Sequence, residues 1–542
     1  MSYYDLSIPP GVWKNGTESQ AGRRWFDANL IRWFEGRMRP VGGWSRTNSN
    51  ALTGSARSMM AWVDNDGTKW IVIGTHSKLY IFSGTSGTPA DITPTTGGEA
   101  GVDLIVGNAN GSEGIGYGAG PYNSGNFNAS VTQSSIVVDA TTWAFDTFGE
   151  VLILLSRADG KLFYWDPSAT NPSTIEAKRL NTDGTNVPTN NKGMVVSFQR
   201  HVFALGANGI RNNVKWSNIE DKDDWVVTQN NEAGGFLLDT NGSIVTGMKV
   251  QDKILVWTNQ DVHVISWIGP PYIYNRVKSG DACGIISPQS AAVVEGTAYW
   301  MGESGFFMWN GYTKRLECDV NDYIFRDISA TQNSKIYAVT NKKFGEIWWF
   351  YCSSNATEID RYVIYSQKEG WWSIGQLDRT IMIDSDPFRR PVAIGSDKFM
   401  YEHEIGRSGT SARSDSVSSP SGTGDVGLQN RELTFGLSSS TDTAIQYAST
   451  GAIELGKGDR TMHGTQMVTD HDAGTNGVRF KFTTKRTPDG ASSTTSTVTP
   501  QSDGYTDCRF SGRSMQFHVE SPFDQDFVLG DMRIDLRPGG KR

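Results

Sequence analysis

Short strands without a polar face recur along this 542-residue chain at a regular interval. Residues 59–82 run MMAWV, DNDG, TKWIVIG, THSK, LYIF, and residues 143–165 repeat the order as WAFDTFGE, VLILLS, RADGK, LFYW. The pattern returns at 194–216, 244–267 and 291–309, in a longer form at 335–372, and in a short form ending at Tyr401. These six or seven copies, most of them spaced roughly 45–55 residues apart, have the repeat length of propeller blades. A strand such as Val151-Leu-Ile-Leu-Leu155 needs cover on both sides. A small antiparallel sheet stacked between two neighbours provides it, and radial closure removes the exposed ends. The turns Asp64-Asn-Asp-Gly67 and Ala158-Asp-Gly160 carry hairpin chemistry, whereas no capped 3.6-residue apolar period is sustained anywhere.

The expected fold is therefore all-β: a six- or seven-bladed β-propeller with a long Gly-rich insert and an additional C-terminal β-sandwich-like domain. Residues 1–55 are read as an N-terminal arm and closing strand, and 56–404 as the propeller, interrupted by the insert at 95–138. Residues 405–430 form a Gly/Ser-rich linker or loop, and 431–542 a further β-rich domain. In the last of these, Val478-Arg-Phe-Lys-Phe482 and Ser514-Met-Gln-Phe-His-Val519 alternate apolar and polar residues, as half-buried strands do.

The composition, with 60 glycines, 18 tryptophans and 20% charged residues, suits a β-rich chain with many tight turns. The net charge of −8 shows none of the basic footprint of a tight nucleic-acid binder. Cys283, Cys318, Cys352 and Cys508 lie far apart, without a C-x-x-C pair, and read as reduced core thiols. The N-terminus has neither the basic nor the apolar region of a secretory signal, and no 18-residue apolar run occurs. Folding in a cytoplasm without membrane insertion is the expectation.

Motifs that could carry chemistry fail on context. Gly114, Gly116 and Ala119 have the spacing of a dinucleotide-binding turn, but Pro121-Tyr-Asn-Ser-Gly follows where a helix must begin. An irregular loop anchored by Tyr117, Tyr122 and Phe127 accounts better for this stretch. Gly451-Ala-Ile-Glu-Leu-Gly456-Lys457 has P-loop spacing, yet Gly458 stands where a magnesium-binding hydroxyl is required. Asp470-His471-Asp472 alternates faces in an extended chain, so a metal would need remote ligands. The pairs Trp348-Trp349 and Trp371-Trp372 read as inter-blade core, with exposed interface anchors or sugar platforms as the alternatives. No catalytic residue, cofactor or metal site is expected.

Arg23-Arg-Trp-Phe-Asp-Ala-Asn-Leu-Ile-Arg-Trp-Phe-Glu-Gly-Arg-Met-Arg-Pro-Val-Gly-Gly-Trp44 opens the chain, and Leu529-Gly-Asp-Met-Arg-Ile-Asp-Leu-Arg-Pro-Gly-Gly-Lys-Arg542 closes it. With the Gly/Tyr insert, these stretches resemble β-propeller tail proteins of short-tailed bacteriophages, the nozzle or tubular proteins. The resemblance implies a structural virion protein assembled in the host cytoplasm. It implies a ring of six copies below the portal and adaptor, with viral DNA passing transiently through the channel and fibres or a tip protein docking below. It places Arg24, Trp25, Arg32 and Trp33 where they would fix the N-terminal strand against the propeller or a neighbour. Arg533, Arg537 and Arg542 would lie near a subunit boundary. The alternatives are a propeller that binds a host receptor or glycan, and a tail-associated glycan hydrolase.

Overall fold

In the computed structural model, which describes residues 3–95, 103–116, 131–180, 186–405, 445–455, 458–473, 477–522 and 526–540, strand Val151–Ser156 divides its side chains between two neighbours. Leu152 and Leu154 pack among Trp62, Trp70 and Val72 on one side. Ile153 and Leu155 pack among Met194, Val196, Val202 and Ala204 on the other. A strand with no polar face is thus satisfied by sheets on both flanks, and the same solution recurs along the chain.

Seven four-stranded antiparallel sheets result, which makes the fold a seven-bladed β-propeller. Their inner strands are Ala56–Val63, Trp143–Phe148, Gly193–Val196, Ile244–Val250, Ala291–Val294, Tyr337–Asn341 and Ile381–Ile383, which define blades 1 to 7 in chain order. The turns use glycine where the backbone must enter the left-handed region, at Gly67 (φ +84°) and Gly160 (φ +69°). Blade 7 takes three strands from residues 381–405 and its outer strand, Gly43–Arg46, from the N-terminal arm, in register Tyr401↔Arg46 and His403↔Trp44. Closing the ring with a strand from the far end of the chain leaves no unpaired first or last sheet.

Among the described residues, the remaining strands form two six-stranded sheets and one two-stranded hairpin. One joins Tyr3–Asp5, Ile31–Phe34 and Arg37–Pro40 to Met462–Ala473, Tyr505–Gly512 and Phe527–Pro538. The other joins Trp25–Asn29 to Ile445–Thr450, Ile453–Glu454, Arg479–Lys485, Ser492–Thr494 and Ser514–Pro522. Tyr505–Gly512 alternates exposed and buried residues along its whole length, as a sandwich strand should. Phe480, Phe482, Phe510 and Phe517 fill the core between the sheets. The unit read from sequence at 431–542 therefore draws four strands from residues 3–40, and the 1–55 arm splits between the sandwich and the closing strand.

The sandwich lies along the outer strand of blade 6, Trp372–Gln376. The Val12 amide donates to the Trp372 carbonyl (2.7 Å), the Gln376 amide to Asn29 Oδ1 (2.9 Å), and the Leu30 amide to the Tyr362 hydroxyl (2.9 Å). Of the insert, Ser112–Gly116 pairs with Val131–Val138, so Gly114 and Gly116 sit in a hairpin strand rather than at the start of a helix. The root of the insert docks on the approach to blade 6. Gln332 exchanges two hydrogen bonds with the Gly111 backbone, and the Ala140 amide donates to Ser334 Oγ. Tyr117, Tyr122, Phe127 and Arg542 lie outside the described residues, as does the 406–444 stretch containing the linker.

Candidate functional site

Four places concentrate unusual chemistry: the joint between arm and propeller, the root of the insert, the centre of the propeller, and one of its faces. At the joint stands Arg32, on strand Ile31–Phe34, with 1% of its surface exposed. Its Nη1 and Nη2 donate to Glu404 at 3.0 and 2.5 Å, and its guanidinium lies 3.8 Å over the Phe344 ring. Nε sits 3.0 Å from Glu346 Oε1, out of line for a hydrogen bond, while Glu346 Oε2 accepts from Trp348 Nε1 at 2.9 Å. One guanidinium thus serves two carboxylates from different blades. Burial raises Glu346 to about 7; the attraction of Arg32 opposes that rise and the repulsion of Glu404 adds to it.

The sign for stability follows. Below its ordinary value of 4.5 the Glu346 carboxyl is protonated in both states. Between 4.5 and about 7 only the unfolded chain ionises it, so stability falls as pH rises, and it levels off above. Glu346→Gln removes this slope. Its stability relative to the parent is expected to grow by on the order of 3 kcal/mol between pH 4.5 and 8, measured by denaturant unfolding at a series of pH values.

The other residues singled out from sequence separate into two groups. Trp25 and Trp33 are buried, with ring centroids 6.2 Å apart, and Trp33 meets Trp371 edge-on at 5.7 Å. Arg24 pairs with Asp319 at 2.6 Å, on the chain leaving blade 5. Arg24, Arg32 and Trp33 therefore contact propeller residues of the same chain, while Trp25 packs between Trp33 and Phe517 of the sandwich. Arg533 and Arg537 are exposed on the strand Phe527–Pro538, where Arg537 lies 3.3 Å from Asp535. Trp348, Trp349, Trp371 and Trp372 are all buried between blades or under the arm. Asp470, His471 and Asp472 lie along strand Met462–Ala473, and among the described residues no three His, Cys, Asp or Glu side chains are grouped to hold a metal. All four cysteines are free thiols.

At the root of the insert, Arg57 pairs with Glu358 (2.7 Å), and buried Lys335 reaches Asn110 Oδ1 (2.7 Å) and the Thr357 carbonyl. Burial and the neighbouring Arg57 bring Lys335 down to about 8. Burial opposes ionisation of Glu358, but the Arg57 hydrogen bond outweighs it and holds the carboxyl low.

The centre of the propeller is a cavity of about 350 Å³ to which all seven inner strands contribute. Its wall is mixed: Met59, Phe145, Met194 and Met248 stand beside Thr246, Gln289, Thr340 and the charged Arg157 and Asp384. A space of this size takes a small molecule rather than a nucleic-acid duplex. Gln289 crosses the end where the inner strands begin, donating to Ser58 Oγ and the Trp143 carbonyl.

The opposite face, where the inner strands finish, also carries the turns between third and fourth strands, because strands alternate in direction. There blades 3, 4 and 5 expose large apolar side chains: Ile219 and Val227, then Trp267, Ile268 and Tyr272, then Tyr312. Phe198, in the first turn of blade 3, joins them. Tyr272 is 78% exposed and Tyr312 63%, both at hairpin tips where polar residues usually stand. Large apolar side chains exposed together on one face are a feature of contact surfaces. The signal was present in the sequence, where Trp267-Ile-Gly-Pro-Pro-Tyr272 replaces the polar turn of the other repeats.

No protein-family model and no curated protein matches the chain. Among solved structures, a catalytically inactive virginiamycin B lyase from Staphylococcus aureus is similar at 9% identity and a TM-score of 0.38, over 66% of this chain and 99% of that one. The WD40 domain of Pan2 from Neurospora crassa is similar at 9% identity and 0.36, over 67% and 95%. BamB from Moraxella catarrhalis is similar at 10% and 0.33, over 67% and 98%. These likenesses concern the fold alone.

Proposed function

We propose that this chain is a non-enzymatic structural subunit of a short phage tail. Copies form a ring, six of them in the family it resembles, whose lumen passes the genome. The observation that carries the reading is the joint fate of the two stretches behind the resemblance. The strands at 25–40 and at 527–538, some five hundred residues apart, fold into one sandwich, where Met38 pairs with Leu529, and they clamp it to blade 6. A module so built carries both chain ends to one place beside the propeller, which suits a subunit that meets neighbours there.

Two further features support the reading. The apolar face of blades 3 to 5 has the character of a contact surface, and a net charge of −8 repeated around a lumen repels phosphate, so that DNA slides. The cavity inside each propeller is too small for a duplex, so the conduit lies between subunits. Contacts with portal and adaptor above, and with fibres or a tip protein below, belong to the same proposal.

A second reading is a glycan- or receptor-binding module, favoured by the exposed aromatics Trp267, Tyr272 and Tyr312, whose flat faces suit sugar rings. Electron microscopy separates the two. The structural reading expects closed rings of the purified chain, and the same ring at the tail of assembled particles. A purified chain that stays monomeric and binds envelope glycan favours the second.

A further inference from the structure

Blade 4 ends in a hairpin, Asp261–Gly269 with Ile273–Asp281, whose tip leaves apolar side chains in solvent. Its base is firmly held, since buried Asp261 accepts from Thr240 and Thr258 and pairs with Lys278. Near the tip the register steps from Trp267↔Tyr274 to Gly269↔Ile273, so that Ile268 is the extra residue of a bulge, a device that re-aims side chains. Trp267, Ile268 and Tyr272 are all exposed as a result. At about 3.3 Å per residue they occupy roughly the last 10 Å of the hairpin. Tyr312 stands exposed at the corresponding turn of blade 5, on the same face.

Residue type and charge say what such tips fit. Tryptophan and tyrosine beside isoleucine are the side chains of a membrane–water interface, where amphipathic rings sit among the headgroups. Proteins that lie on a bilayer bury their apolar groups about 5–10 Å deep, which matches the length of the tip. The chain carries 58 acidic residues against 50 Lys and Arg, yet neither 262–280 nor 304–316 contains a single Asp or Glu. Of the four exposed bases in these segments, Lys278 is held at the base by Asp261 and Asp281, and Arg315 donates to the Ser304 carbonyl. Arg276, whose guanidinium lies 4.7 Å over the Phe236 ring, and Lys314, two residues beyond Tyr312, remain for an anionic partner. The acids of this face stand elsewhere. Asp252 and Glu295 lie in the first turns of blades 4 and 5, nearer the propeller axis, and Glu220 and Asp221 follow Ile219 on blade 3, which places that blade outside the footprint.

We propose that the tips of blades 4 and 5 rest on an anionic lipid bilayer without crossing it. Trp267, Ile268, Tyr272 and Tyr312 enter the headgroup layer, and Arg276 and Lys314 meet lipid phosphates. The contact does not rest on the tail reading, because a single propeller makes it with no second copy present.

Co-sedimentation of the full chain with lipid vesicles tests it. Mixed phosphatidylcholine–phosphatidylglycerol vesicles are expected to bind the chain roughly tenfold more tightly than pure phosphatidylcholine, and Lys314→Ser to weaken that binding roughly fivefold. Trp267→Ser with Tyr272→Ser is expected to weaken it by about tenfold or more. Acyl chains carrying bromine should quench a share of the parent's tryptophan emission that is missing in Trp267→Phe. Failure of the parent to bind mixed vesicles overturns the proposal, and so does binding that the tip substitutions leave unchanged. Equal binding to neutral vesicles overturns the anionic assignment. If the tip substitutions dissociate rings while the parent ignores vesicles, a second copy occupies this surface. Binding of glycan but not of sugar-free vesicles assigns it to carbohydrate; either result overturns the bilayer contact.

Discussion

Arg32→Met is expected to destabilise the protein by about 3–5 kcal/mol, read as a lowered denaturant midpoint. The size of the effect comes from what is left behind. Glu346 and Glu404 have 0% and 9% of their side chains exposed, and without the guanidinium the Glu404 carboxylate would be left uncompensated beside a Glu346 that takes up a proton. Ordinary substitutions cost far less, and values this large arise where a buried charge is stranded. Arg32→Lys should fall in between, since an ammonium keeps the charge but cannot make the two-pronged contact with Glu404. Removing the cause should remove the effect: Arg32→Met with Glu346→Gln and Glu404→Gln is expected to recover most of the loss. A single Arg32→Met costing under about 1 kcal/mol would show that water reaches the joint and that the arm is not clamped there.

The second large effect concerns assembly. Trp267→Asp with Tyr272→Asp should lower the isolated chain's stability by no more than about 1 kcal/mol, because Tyr272 is 78% exposed at a hairpin tip and Trp267, on the strand leading to it, 43%. If copies meet through this face, each pair of substitutions strands two carboxylates in an apolar contact, and the like charges cost several kcal/mol per interface. Multiplied around a ring, that converts closed assemblies into monomers in sedimentation velocity or micrographs. Rings that persist unchanged would move the contact surface elsewhere on the molecule. Arg537→Ala is the useful contrast. It removes a pair at 3.3 Å in which Arg537 is exposed and Asp535 is buried but keeps the Thr465 hydroxyl as a donor, so it should alter stability by about 1 kcal/mol or less, and any change in assembly would locate a boundary at the sandwich.

Much of the architecture was legible from residue order because the determining interactions are local. A strand such as Val151–Ser156, apolar on both faces, admits few environments, and its recurrence sets the stacked blades before any coordinate is known. The turn glycines mark where each hairpin reverses, and the alternation in Val478-Arg-Phe-Lys-Phe482 already assigns that strand one buried face. Blade number was open between six and seven because the last sheet borrows Gly43–Arg46, a pairing more than 350 residues long in sequence that no local pattern encodes.

The sites were less legible, for the same reason. Arg24, Trp25, Arg32 and Trp33 were visible as an arginine-aromatic cluster, but whether they grip the propeller or a neighbour depended on where Glu346, Glu404, Trp371 and Asp319 come to lie. Arg157 opens an ordinary Asp-Gly turn in sequence, and only the convergence of blades 2, 3 and 4 surrounds its guanidinium with neutral partners. Residue periodicity determines which faces must be covered, since that depends on neighbours one or two positions away. Tertiary closure decides which charges become neighbours, since that depends on distances between segments hundreds of residues apart, and the low dielectric of the interior then gives those few contacts their weight.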